Sequence, residues 1–376
     1  MATQPIPALD DVVRMQAIDK RNMLRLINEL PEQCETALGI ARDFEIESED
    51  AAPSSVFISG VGDSGVAADM AAAALADVAH VPVISDHGGR LPRFVAEGTL
   101  VFIADYTGKS EIAMRNLRDA KFRGAQVICI ATGGKLLESA ANEEVPAIKI
   151  PPGQPGRTAI GYLLVPIIAV LDKVGVAPGR IEQLSHGIKL MKNVREMFRF
   201  TTPTVRNSAK QTAEALFGRF VGIYGITGYR TAVADRWKNQ FAANGRAIAC
   251  SGSLAGLAMA GVAAWETAGG RADELALVLL RDKMDRGETA DLVNATAEVL
   301  QDYRIVDVEL RGATTIEKLL YGIYFGDYVS YYLALLAEVD PSSSEYLARV
   351  EEILTPPEPP APEPTEEAEQ TEAGGE

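Results

Sequence analysis

Two apolar segments of the sequence each end in a turn that is rich in glycine and hydroxyl residues. The first turn contains Gly62 and Ser64, and the second contains Thr107 and Ser110. Each turn is followed by a segment with helical spacing. Because the N–H groups at a helix N-terminus point outward and the helix dipole favours negative charge there, such turns can bind anions. The sequence therefore predicts an anion site built from two neighbouring strand–turn–helix units.

Two acidic residues within these turns change the chemistry that is expected of the site. Asp63 directly precedes Ser64, and Asp105 begins the second turn. A carboxylate about 4–6 Å from a phosphate dianion repels it by on the order of several kcal/mol at an intermediate dielectric. Lys109 in the second turn could compensate for part of this repulsion. We therefore expect the cleft to prefer a neutral ligand or a cation, or to bind no ligand.

The histidines and cysteines give no sign of a metal site or of a catalytic triad. These residues are His80, His87, His186, Cys34, Cys129 and Cys250. They show no metal-ligand spacing, no CxxC pair and no local Ser–His–Asp signature, so we expect neither a metal nor a cofactor. Cys129 and Cys250 lie in apolar runs, which favours buried structural thiols.

The net charge of −16 is unevenly distributed along the chain. Residues 355–376 contain seven Glu but no Lys or Arg, and they lack large apolar side chains, which predicts a disordered acidic tail. An acidic chain without a basic stripe is a poor nucleic-acid binder. The N-terminus has no signal-peptide pattern, and the longest apolar stretch, residues 160–171, is too short to span a bilayer. We expect a cytoplasmic protein without nucleic-acid or membrane partners.

Short apolar runs alternate with helical segments in two series. The strands are predicted at 55–60, 82–85, 99–105, 126–131 and 147–150, and then at 220–226, 246–250, 275–281 and 303–310. The helices are predicted at 10–44, 64–79, 109–123, 135–144, 158–175, 229–244, 254–268, 287–300 and 314–338. Wholly apolar strands fit a parallel sheet covered on both faces. The sequence thus predicts an α/β fold with two doubly wound, flavodoxin-like parallel sheets of roughly five strands, flanked by helices.

Five segments of the chain carry a family resemblance, and they occur in the family's order. They are GVGDSGVAAD at 60–69, DYTGKSE at 105–111, PPGQPGRTAIGYL at 151–163, DRWKNQFAAN at 235–244 and GDYVSYYLALLAEVDP at 326–341. The chain resembles the bifunctional phosphoglucose/phosphomannose isomerases, which contain two sugar isomerase (SIS) domains. The divergent TobH-like branch is one candidate within that family.

The resemblance implies a domain plan in five parts. An N-terminal helical segment at 1–44 precedes a first SIS domain at 45–175. A helical connector at 176–214 leads to a second SIS domain at 215–354. The acidic tail follows at 355–376. The resemblance also implies a homodimer with the active site near the subunit interface.

The resemblance further implies a reaction and the residues that serve it. Members of the family interconvert glucose 6-phosphate or mannose 6-phosphate with fructose 6-phosphate through a cis-enediol. Carried over to this chain, the substrate-binding residues are Gly62, Ser64, Thr107, Ser110 and Arg157. The hydroxyl groups would hold the phosphate, and Arg157 would stabilise the enediol.

Three catalytic groups of the family have no chemical counterpart in this chain. Ala243 stands where the family has its Glu base, and Met259 stands where it has the His that assists ring opening. Glu351 lies near the position of the family's Lys. We therefore expect a carbohydrate-derivative (sugar-phosphate) binding protein that is catalytically degenerate.

Two alternatives stay open at the level of sequence. One is an active isomerase with a relocated base, for which Glu111 together with His87 is the candidate pair. The other is a non-catalytic interaction or regulatory subunit. A tyrosine-rich helix could either form a dimer interface or belong to the core of the chain. Its residues are Tyr324, Tyr328, Tyr331 and Tyr332.

Overall fold

The computed structural model describes residues 9–46, 52–226, 228–266 and 268–354. The predicted tail at 355–376 lies outside the described residues. Contacts divide the chain into two units, Met1–Ser342 and Ser343–Glu376, and in the second the described helix is α15, Glu345–Leu354. No described helix is long and apolar enough to cross a membrane.

The N-terminal region forms three helices where the sequence predicted one at 10–44. They are α1 (Val12–Ile18), α2 (Met23–Asn28) and α3 (Leu30–Asp43). The break between α1 and α2 has a local cause. The Asp19 carboxylate accepts the backbone N–H of Met23 at 2.7 Å, and Asn22 has a φ of +56°. An Asp that binds backbone N–H groups competes with helix continuation, as short polar side chains often do.

The first sheet has five parallel strands, as predicted. They are β1 (Ser55–Gly60), β2 (Val83–Asp86), β3 (Thr99–Ala104), β4 (Gln126–Ala131) and β5 (Ala147–Lys149), in the order β2-β1-β3-β4-β5. Helices α4 (Asp63–Leu75), α5 (Glu111–Phe122), α6 (Gly134–Asn142) and α7 (Ile160–Lys173) accompany them. β1 and β3 are neighbours, and Gly60 pairs with Ala104 at their ends. The turns after these two strands therefore lie side by side.

The second sheet is also parallel, with four strands among the described residues where roughly five were predicted. They are β6 (Phe220–Gly225), β7 (Ala249–Ser253), β8 (Leu275–Arg281) and β9 (Arg304–Glu309), in the order β7-β6-β8-β9. The strand predicted at 246–250 begins and ends later because β6 pairs with Ala249–Ser253. This edge strand is only half-buried, so its small polar residues are tolerated.

The connector and the second half supply the remaining helices of the larger unit. They are α8 (Arg180–Phe198), α9 (Ser208–Leu216), α10 (Tyr229–Ala243), α11 (Leu254–Gly256), α12 (Val262–Glu266), α13 (Glu288–Val299) and α14 (Thr315–Leu336). A π-helical turn, Leu257–Gly261, separates α11 from α12. The single helix predicted at 254–268 is therefore interrupted.

Helix α14 is buried over almost its whole length and packs against α8, α9 and α10. Trp237 of α10 donates its Nε1–H to the Gly322 carbonyl of α14 at 2.8 Å. A Cβ at Gly326 would lie 2.1 Å from that indole nitrogen, so this close crossing requires glycine. The four tyrosines of α14 that the sequence singled out are buried inside the chain. They belong to its core, and their side chains form no external face.

Candidate functional site

The turn after β1 is shaped by a glycine and a buried serine. Gly62 has a φ of +58°, a conformation that favours glycine because it has no Cβ. Ser64 lies in the first turn of α4 with 1% of its surface exposed. Its Oγ accepts the backbone N–H of Tyr106 at 3.1 Å. This hydroxyl therefore joins the turn after β1 to the turn after β3.

The turn after β3 is organised around the carboxylate of Asp105, which is 6% exposed. Its Oδ2 accepts the Ser110 backbone N–H at 2.8 Å, and its Oδ1 accepts the Thr107 hydroxyl at 3.4 Å. The Ser110 hydroxyl in turn caps α5 by accepting the Ile112 N–H at 3.2 Å. The donors of this turn therefore bind a carboxylate of the chain itself.

Arg157 joins the first half of the chain to the second. It lies in a short 3₁₀ turn before α7 and donates from Nε to Asn244 Oδ1 at 3.0 Å. One terminal nitrogen donates to the Pro341 and Ser342 carbonyls at 3.2 and 3.3 Å. Ala243, which ends α10, immediately precedes Asn244. The structure therefore brings Arg157 to the segment in which the resemblance places the catalytic base.

A buried ion pair supports the segment that carries Arg157. Arg236 donates to Asp327 Oδ2 at 2.7 Å and to the Arg157 carbonyl at 3.2 Å. Gln240 donates to the other Asp327 oxygen at 3.0 Å. Asn244 also donates to the hydroxyl of Ser330 at 3.0 Å. These bonds fix the last turns of α10 against α14, so the backbone around Ala243 is held in place.

Asp63, the first residue of α4, lies near Arg157 and Arg236. A Cβ at Gly156 would lie 2.6 Å from Asp63 Oδ2, which places the carboxylate directly against the turn that carries Arg157. The side chain keeps solvent access although protein atoms surround much of it. Burial raises the pKa of Asp63, and the positive charges of Arg236 and Arg157 offset only part of that rise.

The resemblance also singled out Met259 and Glu351. Met259 is 85% exposed on the π-helical turn after β7. Glu351 belongs to α15 in the second unit, and its side chain lies outside the described part of the structure. Met259 has no described hydrogen bond or ion pair with the turns after β1 and β3.

The two residues of the predicted alternative acid–base pair are each bound to another side chain in the structure. Glu111 is exposed and pairs with Lys135 at 3.4 Å. His87 Nε2 lies 2.5 Å from Asp69 Oδ2, and Asp69 also accepts the Ser85 hydroxyl at 2.7 Å. Glu111 and His87 thus have different partners. Lys109 is exposed, and His80 and His186 are also exposed, with no described contact to the two turns.

At the carboxyl edge of the second sheet, the charged side chains pair with one another. After β8, Asp282 accepts Lys318 Nζ at 2.7 and 2.9 Å and the Tyr229 hydroxyl at 2.9 Å. Arg230 donates to both oxygens of Asp285 at 2.8 and 3.0 Å. Burial acts to raise the pKa of Asp282. The hydrogen bonds that the carboxylate accepts, of which the one from Lys318 has the largest effect, outweigh burial and hold the pKa below its usual range.

The sequence reasoning missed the residues that hold the site together. Arg236, Gln240 and Asp327 were visible only as members of matched motifs, and their pairing depends on how α10 crosses α14. Among the described residues, no group of three or more His, Cys, Asp or Glu side chains is placed to hold a metal ion.

Comparison with known proteins identifies the family. Residues 205–354 match the family model described as bacterial phospho-glucose isomerase C-terminal SIS domain. A bifunctional phosphoglucose/phosphomannose isomerase of Thermoplasma acidophilum is 30% identical over 77% of this chain and 86% of its own length. The enzyme of the same name from Caldicellulosiruptor bescii is 29% identical over 85% of this chain and 95% of its own length.

Solved structures agree with this fold. A glucose-6-phosphate isomerase like protein from Thermus thermophilus superimposes with a TM-score of 0.59 and 20% identity, covering 92% of this chain and 99% of that one. The C-terminal domain of a glucosamine-fructose-6-phosphate aminotransferase from Francisella tularensis gives 0.61 and 13%, covering 86% and 98%. The two parallel sheets, the matched motifs and the similarity to these relatives agree. The chain belongs to the bifunctional phosphoglucose/phosphomannose isomerase family.

Proposed function

We propose that this protein binds a carbohydrate derivative at the carboxyl edge of the first sheet and does not catalyse aldose–ketose isomerisation. The observation that carries the proposal is that an alanine, Ala243, directly precedes Asn244, the residue that Arg157 contacts. Isomerisation requires a base that moves a proton between C1 and C2, and an alanine side chain cannot accept one. General base catalysis typically contributes ~10²–10⁴-fold to a rate.

The surroundings of Ala243 supply no substitute carboxylate from α10. The neighbouring side chains of that turn are Ala242, which is exposed, and Asn244, whose oxygen accepts the Arg157 Nε–H. Met259 is a thioether, which cannot donate a proton to a ring oxygen. We assign Arg157 the enediol-stabilising role that the resemblance implies, but the proton transfer that forms an enediol lacks its base.

The ligand class follows from the charges of the two turns. Asp105 already fills the acceptor role toward Thr107 and Ser110 that a phosphate would need. Asp63 adds a second carboxyl group near the same edge. The relatives are named for glucose and mannose phosphates, so we infer a sugar-based ligand, with the phosphate disfavoured in this chain. By family membership we also propose a homodimer, which light scattering of the purified chain would test.

A coupled assay tests the proposed lack of isomerase activity. Fructose 6-phosphate is offered at high protein concentration, and glucose 6-phosphate formation is followed, with mannose 6-phosphate as a second substrate. The variant Arg157→Ala is the control for contaminating isomerase. We expect equal rates for the two proteins. A wild-type rate that Arg157→Ala abolishes would show that the chain is an active isomerase.

One observation favours a second candidate, an isomerase with a relocated base. Asp63 is a carboxyl group with a raised pKa that faces Arg157 and Arg236, and a base works best when its pKa approaches the working pH. If the assay above gives turnover, Asp63→Asn should remove it while Glu111→Gln should not, because Glu111 points to Lys135 at the surface.

A further inference from the structure

A cavity of about 480 Å³ lies beside the N-terminal helices α1–α3 and shares no residue with the turns after β1 and β3. Its volume falls within the range of small-molecule sites, roughly 300–1,000 Å³. The residues of its lining that matter here are Gln16, Asp19, Asn22, Asn28, Phe200 and Tyr331. The whole lining has three side-chain amides, three charged side chains, two aromatic rings and one leucine.

The walls of this cavity are fixed by hydrogen bonds to the core. Asp19 holds the start of α2 through the Met23 and Leu24 N–H groups at 2.7 and 3.0 Å. The backbone carbonyl of Asn28 accepts a hydrogen bond from the Tyr324 hydroxyl at 3.2 Å, and its side-chain oxygen accepts one from the Tyr328 hydroxyl. Both tyrosines belong to the buried helix α14. The lining is therefore preorganised, which lowers the cost of ordering it around a ligand.

Three amide groups of the lining have unused hydrogen-bonding capacity, those of Gln16 and Asn22 at its exposed rim and that of Asn28 deeper in the wall. Within the described part of the chain, the side-chain amides of Gln16 and Asn22 and the Nδ2 of Asn28 have no hydrogen-bond partner. An amide offers both donors and an acceptor, which matches a hydroxyl group that also does both. Phe200, which is partly exposed, adds apolar surface against which the C–H face of a sugar ring or polyol can pack.

The charges of the lining disfavour an anion. Arg25 is paired with Glu29 at 3.2 Å, and Asp19 leaves the lining with one net negative charge. A phosphate group would meet the Asp19 carboxylate without a free cation to balance it. From the cavity, its fixed walls and its unpartnered amides, we propose that this site binds a neutral polyhydroxylated molecule, such as an unphosphorylated sugar or polyol, separately from the cleft.

A titration of the full-length protein with D-glucose, followed by saturation-transfer NMR, tests the proposal. The double variant Gln16→Ala/Asn22→Gly removes two amides, and glycine adopts the φ of +56° at position 22 without strain. The matched control is Gln301→Ala, an exposed amide that lines a different cavity of about 530 Å³. Since losing each neutral hydrogen bond weakens binding roughly two- to tenfold, we expect about a tenfold loss in the double variant. Gln301→Ala should bind like wild type.

Three results would overturn the cavity site. The first is no glucose binding by the wild type, and the second is equal binding by the wild type and the double variant. The third is tighter binding of glucose 6-phosphate than of glucose with the same dependence on positions 16 and 22. If glucose instead loses affinity only in Arg157→Ala, the ligand occupies the cleft. The cavity proposal then fails while the proposed function of the cleft stands.

Discussion

The substitution Asp105→Ser should convert the first sheet's edge into a better phosphate site. In the wild type, the buried Asp105 carboxylate accepts the Ser110 N–H at 2.8 Å and the Thr107 hydroxyl at 3.4 Å. The serine removes the charge and frees both donors for a ligand oxygen. Fructose 6-phosphate should therefore bind more tightly to the variant than to the wild type.

The magnitude follows from the geometry of the turn. Two unit charges about 5 Å apart interact by about 3 kcal/mol at an effective dielectric of 20. Solvent at the open edge weakens this repulsion, so we take about 2 kcal/mol, which corresponds to about 30-fold in the dissociation constant. The same change removes hydrogen bonds to a charged acceptor and should lower the free energy of unfolding by about 1.5–3 kcal/mol.

Isothermal titration with fructose 6-phosphate measures the affinity, and urea denaturation measures the stability. Asp172→Ser is the matched control, because that carboxylate also accepts a backbone N–H, from Ile181 at 2.6 Å, but lies at the end of α7. The control should leave phosphate affinity unchanged. The reasoning is refuted if Asp105→Ser, folded by circular dichroism, binds fructose 6-phosphate no more tightly than the wild type.

Three further predictions concern stability. Arg236→Met leaves the buried Asp327 carboxylate without its ion-pair partner at 2.7 Å, so urea denaturation should show a loss of about 3–5 kcal/mol; a loss below 1 kcal/mol would contradict the buried pair. The pKa of Asp282 is lower in the folded protein than in the unfolded chain, where it is about 3.9. The ionised carboxylate and its bond to Lys318 therefore stabilise the fold above a pH of about 3.9, and this contribution is lost as the pH falls through the folded-state pKa. Asp282→Asn should thus destabilise the protein at pH 7 and much less at pH 3, and a difference that does not depend on pH would argue against this. Gly108→Ala should cost more than 1 kcal/mol by thermal denaturation, because φ is +68° and a Cβ would lie 1.9 Å from the Gly133 carbonyl oxygen; a neutral effect would contradict the turn geometry.

The sequence predicted the first sheet well because its strands are mostly apolar and are bounded by turns that contain glycine. It predicted the N-terminal region less well, since the break after α1 depends on the Asp19 carboxylate binding two backbone N–H groups. The shift of β7 to Ala249–Ser253 has a similar origin, because strand pairing with β6 decides the register and an edge strand need not be apolar.

The sequence named residues for the candidate site, and these stay a prediction, but it could not give their orientation. The motifs identified Asp105 and Thr107, but whether a carboxylate points toward a ligand or back to its own turn depends on the backbone path. Likewise, the contact between Arg157 and Asn244 joins residues far apart in sequence. The tyrosines of α14 show the same limit, since a run of aromatic residues fits an interface and a core equally well until the packing is seen.

Proton exchange with solvent tests the central claim most directly. An aldose–ketose isomerase that works through an enediol places solvent deuterium on the sugar carbon from which its base removes a proton. Fructose 6-phosphate is incubated with the wild-type protein in D₂O and examined by NMR, with a phosphoglucose isomerase as positive control and Arg157→Ala as background. Because Ala243 cannot accept a proton, we predict no deuterium at C1 above the Arg157→Ala background. Deuterium incorporation that disappears in Arg157→Ala would contradict the account.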